Sequence, residues 1–248
     1  GQTVYAYLID WQQRWAPKAL GELWQKGYRV RSAVAPFSNG EETYSAGTLI
    51  VLRGRNLEKA SSMAEDMKSI STSTGVNIAA LPTGRMSDGF DLASSRNRPV
   101  EQPRVAMLVE PPFSTYTSGQ VYFLFDQETA FPIDRIRTSA FAQTSMPKLG
   151  QRYGYVDIND YDVLILPGGR DLNRIFWQEQ RLEINQWLQR GGTLIALEEA
   201  ARFFTTEGKF GKVELVKSIS DTSEAAKYLT YAEQETYRGL KRIPGSAL

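Results

Sequence analysis

The sequence predicts an α/β protein: a doubly wound parallel sheet, preceded by a smaller α/β domain. Three observations predict it. From residue 104 onward, apolar strand-like runs alternate with amphipathic helical stretches, the pattern of right-handed crossovers feeding a parallel sheet. The first 80 or so residues read β-α-β-β-α-β on their own. Between the two lies PTGRMSDGFDLASSRNRPVEQP (82–103), rich in Pro, Gly, Ser and Asn and without periodicity. The predicted division is a small βαββαβ domain over 1–82, a linker over 83–103 and the parallel-sheet domain over 104–248. A chain of 248 residues suits one large or two modest domains.

In the first domain VYAYLID (4–10) is a strand. RWAPKALGELWQKG follows, with Trp15, Ala16, Ala19, Leu20, Leu23 and Trp24 on one helical face and Gly27 as C-cap. YRVRSAV (28–34) alternates as a strand does, and its arginines read as a solvated face. FSNGEETYSAG is a turn-rich connection carrying a tight Asn39-Gly40 signal. GTLIVLR (47–53) is a continuous apolar strand. Asn56 caps a second predicted helix, with Leu57, Ala60, Ala64 and Met67 inward and an end near Gly75. VNIAAL (76–81) closes the unit.

The second domain opens with RVAMLVE (104–110), a buried strand. PPFSTYTSG leads to a short helix, GQVYFLFDQE, with Ser118 as its N-cap. FPIDRIR (131–137) is the second strand, and 138–160 is a long connection. YDVLILPGG (161–169) is a strand ending in two glycines. RLEINQWLQRGG (181–192) is a helix with Ile184, Trp187 and Leu188 buried, and TLIAL (193–197) is the fourth strand. Residues 221–240 read as a polar helix.

Composition excludes several chemistries. The chain has no Cys and no His. A thiol nucleophile, a triad with an imidazole base, a disulfide and a zinc site built on His or Cys are therefore all excluded within it. The net charge of +1 gives no reason to expect nucleic-acid binding. No apolar run approaches the roughly 20 residues of a membrane span, and no signal peptide opens the sequence. The start at Gly1-Gln2, without an initiator Met, and the end at RIPGSAL (242–248) read as the limits of a fragment.

In an open parallel sheet, ligands bind beyond the carboxyl ends of the strands. Three such ends carry chemistry here: Glu110 to Gly119, Gly168-Gly169-Arg170, and Glu198-Glu199. They converge on one crevice if the first, third and fourth strands are neighbours. Paired glycines after a strand let backbone N–H groups face an oxyanion, and a strand-to-helix elbow presents one exposed side chain. At this elbow stand two glutamates. As a catalytic pair they need carboxyl groups about 5 Å apart, or ~6.5–9.5 Å in an inverting hydrolase. As a charged turn, one favours the positive end of the following helix and the other pairs with Arg170 or Arg202. Tyr116, Ser118, Gly168, Gly169 and Arg170 are the candidate contacts for a small anion, a peptide carboxylate or a sugar. STYTSG (114–119) lacks both GxxxxGK[ST] and GxGxxG, so a nucleotide is not expected. Trp15 and Trp24 have the spacing of core residues rather than of a stacking platform.

The strand-GG run at 161–169, WLQRGGTLIALEEAARFF (187–204) and RVAMLVEPPFSTYTSGQVYFLFD (104–126) resemble the class I glutamine-amidotransferase-like domain, which is flavodoxin-like. More specifically, they resemble the version C-terminal to the catalytic domain in bacterial zinc carboxypeptidase-like proteins of the carboxypeptidase A type. PFSNGEETYSAGTLIV (36–51) and TGRMSDGFDLASSRNRPVEQPRVAML (83–108) are similar to the segments before that domain. The likeness spans most of the chain. True amidotransferases carry a Cys at the elbow and a downstream His; at the matching place stand Leu197, Glu198 and Glu199.

The resemblance implies a non-catalytic accessory domain of an exported, periplasmic or secreted protein. Its partner is the peptidase domain of the same polypeptide, and the substrate it helps position is a peptide or the cell wall. Neither a membrane span nor a nucleic-acid partner is implied. No cofactor is expected in this chain, since zinc belongs to that other domain.

Overall fold

A computed structural model describes residues 3–40, 42–129, 131–141, 156–176, 178–205 and 213–214. Most of the expected connection at 138–160, the expected helix at 221–240 and the stretch 242–248 lie outside the described residues. Contacts divide the chain into two compact units, Gly1–Ala201 and Arg202–Leu248. The first is a mixed α/β unit with a five-stranded antiparallel sheet, a four-stranded parallel sheet and a two-stranded hairpin.

The antiparallel sheet is built from β1 (Ala6–Ile9), β2 (Val30–Ser32), β5 (Leu49–Leu52), β6 (Ala79–Leu81) and β7 (Arg98–Val100), in the order β6-β1-β5-β2-β7. β1 and β5 are apolar at every position because both faces are covered. Tyr7, Ile9, Leu49 and Val51 meet the helices α1 (Ala16–Gln25) and α2 (Met63–Thr74). Ala6, Leu8, Ile50 and Leu52 meet Phe37, Tyr44 and Leu92 on the opposite face.

α1 ends as its sequence predicts. Gly27 takes a φ of 74°, the Gly27 N–H bonds the Trp24 carbonyl and the Tyr28 N–H bonds the Leu23 carbonyl, which together make a Schellman motif. Trp15 and Trp24 pack against the core, and Trp24 donates its indole N–H to the Val100 carbonyl at 3.1 Å.

Several elements differ from expectation. The connection at 37–44 is a hairpin, β3 (Phe37–Asn39) and β4 (Glu42–Tyr44), whose Phe37 and Tyr44 rings stack at 5.1 Å. Asn56 does not cap α2. It is fully buried, its amide donates to the Arg29 and Leu52 carbonyls, and its oxygen accepts the Arg29 N–H. One 3₁₀ turn precedes it (Arg53–Arg55) and one follows (Leu57–Lys59), and α2 begins only at Met63, so the buried set is Met63, Met67, Ile70 and Thr74 while Leu57 and Ala64 are exposed. The stretch 83–103 supplies β7 and buries Leu92 and Asn97. Pro99 is tolerated there because β7 is an edge strand.

The parallel sheet has the order β11-β10-β8-β9, from β8 (Val105–Val109), β9 (Asp134–Arg137), β10 (Val163–Leu166) and β11 (Thr193–Ala196). Met107 and Ile165 pack with Val121 and Tyr122 of α3 (Thr115–Phe123). A short helix, α4 (Thr138–Phe141), follows β9. Between β10 and β11 runs α5 (Gln178–Gln189), with Ile184 and Trp187 buried and the Trp187 indole donating to the Tyr161 carbonyl at 2.8 Å. α6 (Glu199–Phe203) follows β11. The first, third and fourth strands of this sheet are therefore neighbours, as the convergence of their loops requires.

Candidate functional site

The site is assembled from the carboxyl ends of β8, β10 and β11. After β8 the chain turns at Glu110, whose φ is 74°, and reaches Phe113, which forms a single bridge to Gly169. The Ser114 N–H bonds the Gly168 carbonyl. These two contacts fasten the start of α3 to the end of β10. They also explain the second glycine, because a Cβ on Gly169 would stand 2.9 Å from the Phe113 ring and 3.0 Å from the Pro112 carbonyl oxygen.

Ser114, not Ser118, is the N-cap of α3: its hydroxyl accepts the Thr117 N–H at 3.2 Å. Ser118 sits inside the first turn and gives its hydroxyl proton to the Ser114 carbonyl at 2.8 Å. Ser118 is thus committed to the helix rather than offered as a donor. Tyr116 is 76% exposed and points away from the core.

The elbow after β11 is present. The Leu197 N–H continues the sheet by bonding the Leu166 carbonyl at 3.0 Å. Glu198 then adopts the left-handed conformation, with φ at 51°, and α6 begins at Glu199. The Glu198 carboxylate accepts a hydrogen bond from the Thr117 hydroxyl at 3.1 Å. It also lies across Gly168, where a Cβ would come within 2.0 Å of Oε2 and 2.8 Å of the carboxyl carbon. A side chain at 168 would displace the carboxylate arm that occupies the space above the glycine.

The structure therefore brings together Gly168, Gly169 and Glu198, and adds Ser114 and Thr117, which sequence reasoning missed. Their signal was the Ser-x-x-Thr spacing at 114–117 ahead of an apolar helix. Glu199 stands in the first turn of α6, where a negative charge suits the helix dipole. Arg170 is exposed and forms no ion pair with either glutamate among the described residues. Glu110 pairs instead with Arg137 at 3.4 Å.

On the β8–β9 side of the sheet, a groove of about 350 Å³ runs between α3 and β9, lined by Met107, Val109, Ser118, Tyr122 and Arg135. Arg135 stacks over the Tyr122 ring at 4.4 Å.

Among the described residues, no group of three or more His, Cys, Asp or Glu side chains stands together as a metal site. No helix among them is long and apolar enough to cross a membrane. Among known proteins, no family model, no curated protein and no solved structure matches this chain.

Proposed function

We propose that the chain is a non-catalytic accessory domain of an exported zinc carboxypeptidase-like protein, in which an amidotransferase-type crevice has become a structural or substrate-positioning element. The observation that carries this reading is Glu198. It occupies the elbow at which a nucleophile stands in the resembled domain, and its carboxylate is spent on Thr117 and on covering Gly168. A thiol-imidazole reaction has no residues to run on, because the sequence contains neither group.

The strand order supports the finer fold reading. Counted along the chain, the parallel strands lie second-first-third-fourth, which is the beginning of the flavodoxin-like order 2-1-3-4-5. On this reading the preceding antiparallel unit belongs to the segment that joins the crevice to the peptidase domain of the same polypeptide. The location is periplasmic or secreted, and the substrate is a peptide or the cell wall. Zinc belongs to that peptidase domain. A chain without His or Cys does not fit a zinc-peptidase site, so no step passes through a metal here.

Two outcomes test the proposal. The open reading frame that encodes this chain is expected to contain, upstream, a His-x-x-Glu motif and a later His; their absence removes the parentage. The purified chain is expected neither to release ammonia from glutamine nor to cleave C-terminal residues from peptides. Peptidase activity that a chelator abolishes would overturn the non-catalytic role.

A further inference from the structure

The arginines of RVRS (29–32) are not simply a solvated strand face. Val30 enters the core beneath the helices. Arg31 alternates with it and so projects from the opposite face of β2, and Arg29 stands just before that strand. There they border a cavity of about 260 Å³, together with Arg55, Leu52 and Pro99. Three of the six lining residues are arginine and none is acidic. The four ion pairs among the described residues all lie elsewhere.

Two of the three guanidinium groups are held by neutral groups. Arg31 donates to the Asn97 carbonyl, and the Asn97 side chain is itself fixed by bonds to the Asp91 and Leu92 carbonyls. Arg29 donates to the Arg55 carbonyl at 3.4 Å. The buried Asn56 ties the backbone at Arg29 to the turn that carries Arg55. Each guanidinium offers five N–H donors in a rigid fork, and each tether uses only one of them. Three cations thus border one space, two of them tethered with most of their donors unspent, and none has an ion-pair partner among the described residues. Nothing about folding requires that arrangement, and a bound anion would relieve its mutual repulsion.

We propose that this cavity binds the phosphate monoester of a small organic molecule. A tetrahedral dianion presents several oxygens to several forks at once, whereas a carboxylate satisfies a single fork. The volume is several times the ~30 Å³ share of one water molecule, which leaves room beyond the phosphoryl group. Leu52 and Pro99 supply an apolar wall for the organic part. The site lies on the antiparallel sheet and is independent of the role proposed for the elbow.

Calorimetric titration of the whole chain at low ionic strength tests this with three probes: inorganic phosphate, phenyl phosphate and acetate. Both phosphates are expected to bind, phenyl phosphate more tightly, and acetate at least about tenfold more weakly than either. Arg29→Gln and Arg55→Gln alter exposed side chains, and each is expected to weaken phosphate binding about tenfold with no change in thermal unfolding. Arg98→Gln, one residue from Pro99 and so on the other side of β7, is expected to leave affinity unchanged. The proposal is overturned by no phosphate binding, by acetate binding as well as phosphate, or by phenyl phosphate binding no more tightly than inorganic phosphate. It is equally overturned by a double Arg29→Gln, Arg55→Gln variant that keeps its affinity, or by an Arg98→Gln loss as large as theirs, which would mark diffuse charge rather than a site.

Discussion

The antiparallel and parallel sheets of the first unit handle backbone strain in opposite ways. Every left-handed residue described between 3 and 100 is a glycine: Gly27, Gly40, Gly47, Gly75 and Gly89. Around the parallel sheet three of the four are acids: Glu110, Asp171 and Glu198, with Gly191 the exception. A side chain in this conformation costs roughly 1–2 kcal/mol relative to the right-handed one. The antiparallel region avoids that cost at each turn. The parallel region carries it, and does so after β8, after β10 and after β11, at the strand ends where open sheets bind ligands. Strain gathered at such a rim is what marks it as the candidate site, in contrast to the unstrained turns of the antiparallel region.

The largest effect separates the two regions by what a new methyl group would strike. At Gly89 a Cβ would lie 2.7 Å from the Pro36 carbonyl oxygen and 2.7 Å from the Phe37 Cβ, with φ at 83°. Backbone cannot swing aside, so Gly89→Ala is expected to lower unfolding free energy by about 3 kcal/mol in a urea titration. At Gly168 the obstacle is the end of the Glu198 side chain, which can rotate away at the loss of its Thr117 bond. Gly168→Ala is expected to cost only about 1–2 kcal/mol, and most of that is expected to vanish when Glu198→Ala is added. A cycle with no coupling between the two positions would mean that Glu198 does not cover Gly168, and the account of a filled crevice would fail.

A smaller pair of substitutions tests the strain directly and predicts opposite signs. Gly75 ends α2 at φ 72° with open space around it, so Gly75→Ala is expected to destabilise by about 1 kcal/mol through conformation alone. Glu110 has nearly the same φ, and its exposed pair with Arg137 is worth at most about 0.5 kcal/mol. Glu110→Gly is therefore expected to stabilise by roughly 0.5 kcal/mol. If both changes destabilise alike, the parallel-sheet rim is not strained, and the contrast between the regions loses its basis.

What could be read in advance follows the same division between local and tertiary causes. The period of α1 and its Gly27 stop are local signals, and they appear as expected. The apolar runs of both sheets and the Gly168-Gly169 ending were legible for the same reason. The phase of α2 was not, because 57–70 contains two overlapping apolar sets. The choice falls to Asn56, whose buried amide joins Arg29, just before β2, to the end of β5 between two 3₁₀ turns that delay the helix. β7 was hidden because Arg-Pro-Val has neither alternation nor length, and only pairing with β2 makes it a strand. The β3–β4 hairpin was announced by Asn39-Gly40, but three-residue strands are too short to show a period. At the site, the three strand ends were legible, but their convergence hung on a strand order that only the pairing of β8, β10 and β11 supplies. That Glu198 would turn inward to Thr117 was not legible, since side-chain direction depends on a left-handed φ that glutamate rarely adopts.

The smallest expected effect belongs to the antiparallel region and concerns the residues just past α1. Lys26 donates to the Asp66 carboxylate at 2.9 Å and the Tyr28 hydroxyl donates to it at 2.6 Å. The Tyr28 bond first, and Lys26 second, hold the Asp66 carboxyl below its ordinary value of 3.8. Because the folded value is the lower one, this contribution is complete above the ordinary value and disappears as pH falls through it towards the folded one. Burial, followed by the Asp66 bond, pushes the Tyr28 phenol well above its usual 10. Here the folded value is the higher one, so the contribution is intact below pH 10 and is lost as pH rises beyond it. Asp66→Asn is expected to cost less than either glycine change, since solvent screens the pair, and to flatten the stability profile below about pH 4. The alkaline limb is expected to survive in that variant, because burial is its larger cause, and to shrink in Tyr28→Phe. Urea midpoints measured from pH 2 to pH 11 separate these limbs. An acid limb unchanged in Asp66→Asn would show that Lys26 and Tyr28 do not act on this carboxylate, and that the antiparallel scaffold draws its stability from packing and turn geometry alone.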